Sequence, residues 1–159
     1  WSEALKTLQR SKGFNKDEMR RKRAVLLTAD ALEKAERQAD EALEEALQAI
    51  KLAPDLAPAQ ALAIRLTAQR GDLRKAAKRA EAAWRVSPHP DIANAALNVR
   101  AGDSAREKFQ RAEKLYAIAP HDCLGDAQRL QRAECRNGLL LRPCFQPVTQ
   151  KHECDDHCR

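Results

Sequence analysis

The sequence predicts an all-α protein made of antiparallel helix pairs stacked into a superhelix, and three observations carry that prediction. The first is composition: aromatic residues are 4% and charged residues 33% of the 159-residue chain, and alanine dominates the apolar set. That balance suits helices that approach closely through small side chains, and it does not suit a β-sandwich. The second is self-similarity. ADEALEEALQAIKLAPD (39–55) superposes on LRKAAKRAEAAWRVSPH (73–89) at an offset of 34, aligning Ala42 with Ala76, Ala46 with Ala80, Ala49 with Ala83 and Leu52 with Val86. The third is the proline that closes each copy, Pro54 and Pro88, whose missing N–H and rigid ring end a helix.

The elements follow in order. SEALKTL (2–8) resembles DEALEEA (40–46), so residues 1–11 form a lone helix of the kind that comes second in a pair. The first full pair spans 16–36 and 38–53, where Ala42, Ala46 and Ala49 share one face at i, i+4, i+7. The second pair spans 57–70 and 72–87. Between its helices, Gly71 supplies a left-handed turn and Asp72 is placed to cap the next helix. A shorter third pair spans 90–100 and 103–119, because RAEKLYAIAPHD (111–122) matches RAEAAWRVSPHP (79–90) at an offset of 32. That match sets Tyr116 on Trp84 and Pro120 on Pro88. His89 and His121 follow equivalent prolines, which gives them a turn role rather than a ligand role. With no further pair to cover it, an apolar face around Phe109, Leu115 and Ile118 is expected to drive aggregation or dimerisation.

Charge narrows the function classes. The net charge of +6 suits an anionic partner, but the scarcity of aromatic stacking residues argues against nucleic acid, which is not expected as a partner. The basic run MRRKR (19–23) opens a helix, where the dipole disfavours positive charge. It reads as a solvated turn first and as a contact for anionic lipid headgroups second. No run of 18 apolar residues occurs in the chain. The chain starts at Trp1 inside what reads as an amphipathic helix, so it is expected to be a fragment whose targeting signals lie upstream.

All five cysteines, Cys123, Cys135, Cys144, Cys154 and Cys158, lie in the last quarter, where alanine also becomes scarce. A boundary near 122 follows, dividing a repeat domain (1–122) from an irregular Cys-rich tail (123–159). Cys144, Cys154, His157 and Cys158 could supply four zinc ligands, but HECDDHC contains no CxxC and no knuckle precedes it, so no metal is expected. A cysteine nucleophile lacks a base and a structured pocket. The tail reads as a disordered extension or as translation in a shifted frame, and the coincidence of composition changes at one position favours the shifted frame.

Thirty-four residues is the length of a tetratricopeptide repeat, although the large aromatics usual in the first helix of that repeat are absent. The wording goes further. KRAVLLTADALE (22–33), GDLRKAA (71–77), AAWRVSPHPD (82–91) and SAREKFQRAEKL (104–115) resemble the repeat region of the HemY family of bacterial inner-membrane proteins, in its α-proteobacterial form. The resemblance covers about residues 1–122 and stops at Cys123. It implies tetratricopeptide-like repeats outside the bilayer of the bacterial inner membrane, behind two transmembrane helices that this chain does not contain. It also implies a part in a late stage of haem biosynthesis, with haem-pathway enzymes as protein partners. It implies no catalytic residue and no cofactor, so an enzyme is not expected. An unrelated flavin-dependent oxidase shares the family's name, but the chain has no GxGxxG fingerprint.

In such a superhelix the first helices of the pairs line the concave side. The groove positions are then Leu27, Ala31 and Lys34 in the first pair, Ala61, Arg65 and Gln69 in the second, and Arg100 in the third. Lys34, Arg65 and Arg100 would pair with a carboxylate-bearing partner, an acidic segment or a porphyrin propionate. Ordinary solvated charge is the plainer reading of the same residues. The function predicted is a protein-interaction scaffold. The alternatives are a soluble tetratricopeptide adaptor of another process and a small zinc- or nucleic-acid-binding protein.

Overall fold

Seven helices and no strand make up the described residues, 1–11 and 13–119, of the computed structural model. They are α1 (Ser2–Arg10), α2 (Lys16–Lys34), α3 (Ala39–Leu52), α4 (Ala57–Gln69), α5 (Leu73–Val86), α6 (Pro90–Leu97) and α7 (Ala105–Ile118). The predicted boundary at 122, the Cys-rich tail with its zinc and reading-frame interpretations, and the parts assigned to Pro120 and His121 lie outside the described residues.

The second helices repeat as the sequence does. Helices α3, α5 and α7 each run 14 residues and begin at 39, 73 and 105, reproducing the offsets of 34 and 32. Each stops the same way. Ala53, Ser87 and Ala119 turn extended, and their N–H groups donate to the carbonyls of Ala49, Ala83 and Leu115 four residues back. The proline that follows the first two of these caps is what the sequence uses to enforce the stop.

The first helices start on local signals. Asn15 and Glu18 form a capping box on α2: the Asn15 side chain accepts from the Glu18 N–H at 2.8 Å, and the Glu18 carboxylate accepts from the Asn15 N–H at 3.1 Å. Helices α4 and α6 carry a proline in the first turn, Pro58 and Pro90, where no intrahelical donor is needed. At the α4–α5 turn Gly71 takes φ 86°, the left-handed conformation expected of it. Asp72 occupies the N-cap position of α5, but its carboxylate pairs with Lys75 at 3.0 Å and makes no cap hydrogen bond. Helix α6 ends at Leu97, short of the predicted residue 100. The Asn98 amide there donates to the Asn94 carbonyl at 2.9 Å and to the Asn94 side chain at 2.7 Å, local bonds that compete with helix continuation.

Each helix packs on the next, and α4 also touches α2 and α6 while α5 touches α7. The aligned alanines are the seams. Ala42, Ala46 and Ala49 are buried in α3, as are Ala76, Ala80 and Ala83 in α5 and Ala112 in α7. The uncovered face expected around Leu115 does not form as predicted. Leu115 is buried in one cluster with Ala83, Trp84 and Ile92, Ile118 packs against that cluster, and Phe109 is half-buried. The register of α7 turns Leu115 inward and leaves Val86 and Tyr116 as the large exposed apolar side chains in this half. Among the described residues, no helix is long and apolar enough to cross a membrane.

Candidate partner-binding groove

A cavity of about 790 Å³ opens between the first helices of the three pairs. Its apolar floor comes from Leu32 of α2, Ala61 and Leu62 of α4, and Ala95 of α6 with Val99 beyond it. Its polar lining comes from Arg65 and Gln69 of α4, from Asp91 and Asn94 of α6, and from Asn98 and Arg100 in the turn that follows. The spacing explains the convergence. Ala61, Arg65 and Gln69 follow one another at i, i+4, i+8, and Asp91, Asn94 and Asn98 at i, i+3, i+7, so each set lies along one helix face.

Three of the five principal groove residues read from the sequence therefore meet: Arg65, Gln69 and Arg100. Two do not. Leu27 is buried with Ala24, Ala49, Ala53 and Ala59, because α2 turns that face onto α3 and α4. Its neighbour Ala31 is likewise core. Lys34 is tied inside its own pair, with Nζ 3.0 Å from Asp30 and 2.5 Å from Glu45 of α3. The hydrogen bond it donates to Glu45, and then the one it donates to Asp30, raise its pKa above the ordinary lysine range.

The sign of that shift makes a prediction. A pKa raised on folding means that the Lys34 contacts stabilise the chain fully below the unfolded lysine value and are lost as pH climbs through the folded one. The difference in denaturation midpoint between the native chain and Lys34→Met is therefore expected to shrink from neutral to strongly alkaline pH. A difference that stays constant would show that the pair is not what the substitution removes.

Arg65 and Arg100 stand differently. Both are exposed, and neither forms an ion pair or side-chain hydrogen bond among the described residues. The charge of Arg100 is still felt nearby. It is a minor cause, after the Ser104 hydrogen bonds, of the lowered Glu107 carboxyl pKa, and after burial it helps lower that of the Arg111 guanidinium. Asn98 is partly engaged, accepting from Lys108 at 3.0 Å. The groove thus offers two unpaired guanidiniums and several amides above an apolar floor.

Asn94, Asn98 and Asp91 are lining residues that the sequence reading missed. The available signal is their helical spacing in an otherwise alanine-rich stretch. A second recurring position was also missed. Glu45, Arg79 and Arg111 are equivalent under the offsets of 34 and 32, and each carries charge at the inner side of its pair. Glu45 takes Lys34. Arg111 donates to the Leu97 carbonyl at 2.8 Å and to the Asp103 carboxylate. Burial lowers the pKa of Arg79, whose Nε has no hydrogen-bond partner among the described residues.

The basic run is engaged with its own fold. Arg20 lies 3.9 Å from Asp17, Arg21 lies 2.6 Å from Asp55, and Lys22 sits 4.5 Å above the Phe14 ring. The Arg21 hydrogen bond is the main reason the Asp55 carboxyl pKa is lowered. His89 caps α6, its Nδ1 accepting from the Asp91 N–H at 3.2 Å, in keeping with a turn role. No group of three or more potential metal-ligating side chains occurs among the described residues.

No family model, no curated protein and no solved structure matches the chain. The described residues form an all-α protein with a cavity of apolar floor and polar rim between α2, α4 and α6.

Proposed function

We propose that the chain is a tetratricopeptide-like interaction scaffold that binds an acidic, extended segment of a partner protein in the groove between α2, α4 and α6. The observation that carries this reading is that Arg65 and Arg100, neither paired within the described residues, line one cavity with Gln69, Asn94 and Asn98. Guanidiniums recognise carboxylates through paired donors, and amides can hold the backbone of an extended peptide. The offset of 34 and the matching ends of the second helices support the tetratricopeptide assignment. The sequence resemblance to the HemY family supplies the setting: a scaffold at the bacterial inner membrane whose partner is an enzyme of late haem synthesis. A soluble adaptor would use the same groove chemistry.

The test is fluorescence anisotropy with a labelled peptide carrying four consecutive glutamates. Each of Arg65→Ala and Arg100→Ala is expected to weaken binding roughly tenfold, as loss of one charge-assisted hydrogen bond would. Arg74→Ala, on the exposed side of α5, is expected to leave it unchanged. Equal affinity for the native chain and the Arg65→Ala/Arg100→Ala variant would reject the groove.

A further inference from the structure

Asp91, Arg65 and Arg100 are the charged side chains that line the groove between α2, α4 and α6, and Asp91 has the opposite sign to the other two. Its place along the groove follows from the chain. Asp91 sits in the first turn of α6, whereas Arg100 lies beyond the end of that helix at Leu97. Helix α5 packs against both α4 and α6 and joins them through short turns at 70–72 and 87–89, so α4 and α6 run in the same direction. Gln69 ends α4 and Arg65 lies one turn before it, which sets both toward the Arg100 end. Pro58, in the first turn of α4, lines the end where Asp91 sits. The groove is acidic where these helices begin and basic where they finish.

The Asp91 carboxylate is free to meet a ligand. His89 Nδ1 lies 3.6 Å from it, but that nitrogen accepts from the Asp91 N–H at 3.2 Å and so has no proton to give the carboxylate. No lysine or arginine pairs with Asp91 among the described residues. A carboxylate in the first turn of a helix also complements the macrodipole, a role that needs no ligand. The spacing adds what that role does not require. From Asp91 to Asn98 the chain rises about 10 Å at 1.5 Å per helical residue, and Arg100 is two residues further on. An extended peptide covers that span in about three to four residues at roughly 3.3 Å each. Between the charges, the Asn94 amide nitrogen donates to no partner among the described residues and is open to a peptide carbonyl.

We infer that Asp91 is a specificity-determining residue of the groove, selecting an extended segment that carries a lysine or arginine three to four residues from its acidic side chains. This rests on the reading of the groove as the seat of an acidic segment, and it adds the pattern of charge that the segment must have. The acidic side chains meet Arg65 and Arg100, and the basic one meets Asp91. An acidic run long enough to reach Asp91 is repelled there, so the same residue that attracts the patterned segment rejects a uniformly acidic one.

The probes are two labelled peptides titrated into the full chain by anisotropy: a lysine, a Gly-Ser-Gly spacer and two glutamates, and the same peptide with glutamine in place of the lysine. The lysine peptide is expected to bind about fivefold more tightly, the upper range for an ion pair whose protein partner is 57% exposed. Asp91→Asn is expected to erase that preference while binding the glutamine peptide no more weakly than the native chain does. The substitution keeps the backbone N–H that His89 accepts, so the start of α6 is retained. Equal affinity of the native chain for the two peptides, with both weakened by Arg65→Ala/Arg100→Ala, overturns the role of Asp91 and leaves the acidic-segment groove standing. A lysine preference that survives in Asp91→Asn overturns it too, and a lowered denaturation midpoint in that variant would then assign Asp91 to the helix dipole alone. Binding of neither peptide, or binding indifferent to Arg65→Ala/Arg100→Ala, rejects the groove and this inference together.

Discussion

Trp84→Ala is expected to destabilise the chain by about 3–5 kcal/mol in equilibrium chemical denaturation, the range for removing a fully buried large aromatic. Trp84 is 0% exposed and is the largest fully buried side chain. It packs from α5 into a cluster that also holds Ile64 of α4, Ile92 of α6 and Leu115 of α7, so no single helix can move in to fill the space it leaves. Its indole N–H also donates to the Ala119 carbonyl at 2.9 Å, joining α5 to the end of α7 across 35 residues of sequence. Trp84→Phe separates the two contributions. It keeps most of the ring and removes the donor, and is expected to add a cost of about 1 kcal/mol for the carbonyl left unpaired. A loss below about 1 kcal/mol in Trp84→Ala would contradict the central position of this side chain.

Arg111→Ala is expected to cost about 3 kcal/mol, for a different reason. The Asp103 carboxylate is 2% exposed and depends on the Arg111 guanidinium, which also donates to the Leu97 carbonyl at the end of α6. Truncation leaves a buried charge without its partner, and that penalty exceeds the worth of the contact itself. Arg111→Lys does not rescue it, because one ammonium cannot reproduce two directed donors at separate acceptors. Arg111→Met combined with Asp103→Asn removes the charge from both sides and is expected to recover much of the loss. Denaturation midpoints of the three variants decide the matter: an Arg111→Ala chain as stable as the native one would mean that the pair holds nothing together.

The repeating helices were legible because their signals are local and periodic. Alanine at fixed spacing, a proline stop, and glycine with positive φ at Gly71 each act within one turn of chain, and the ends of α3 and α5 fall where the offset of 34 places them. The groove was legible in part. Arg65 and Gln69 were found because helical spacing puts them on one face of α4, and Arg100 joins them from the turn that follows α6 rather than from a helix face. Leu27 and Lys34 were misplaced because their neighbours are set by tertiary packing: Ala49 and Ala53 against one, Glu45 against the other. Periodicity gives the face of a helix but not the rotation at which it meets its partner. Asp72 shows the same limit on a smaller scale, since a lysine three residues on takes the carboxylate from its cap.

The alanine seams also govern the entropy of the array. Ala42, Ala46 and Ala49, with their equivalents in α5, have no rotamers to lose when the helices close on one another. Joining one pair to the next therefore immobilises backbone and little else at these contacts. The ordering of long side chains is concentrated in a few places, the Trp84 indole and the Lys34 and Arg111 ion pairs. An array built this way gains cohesion from close backbone approach at low conformational cost, while the Trp84, Lys34 and Arg111 contacts tie particular helices to one another.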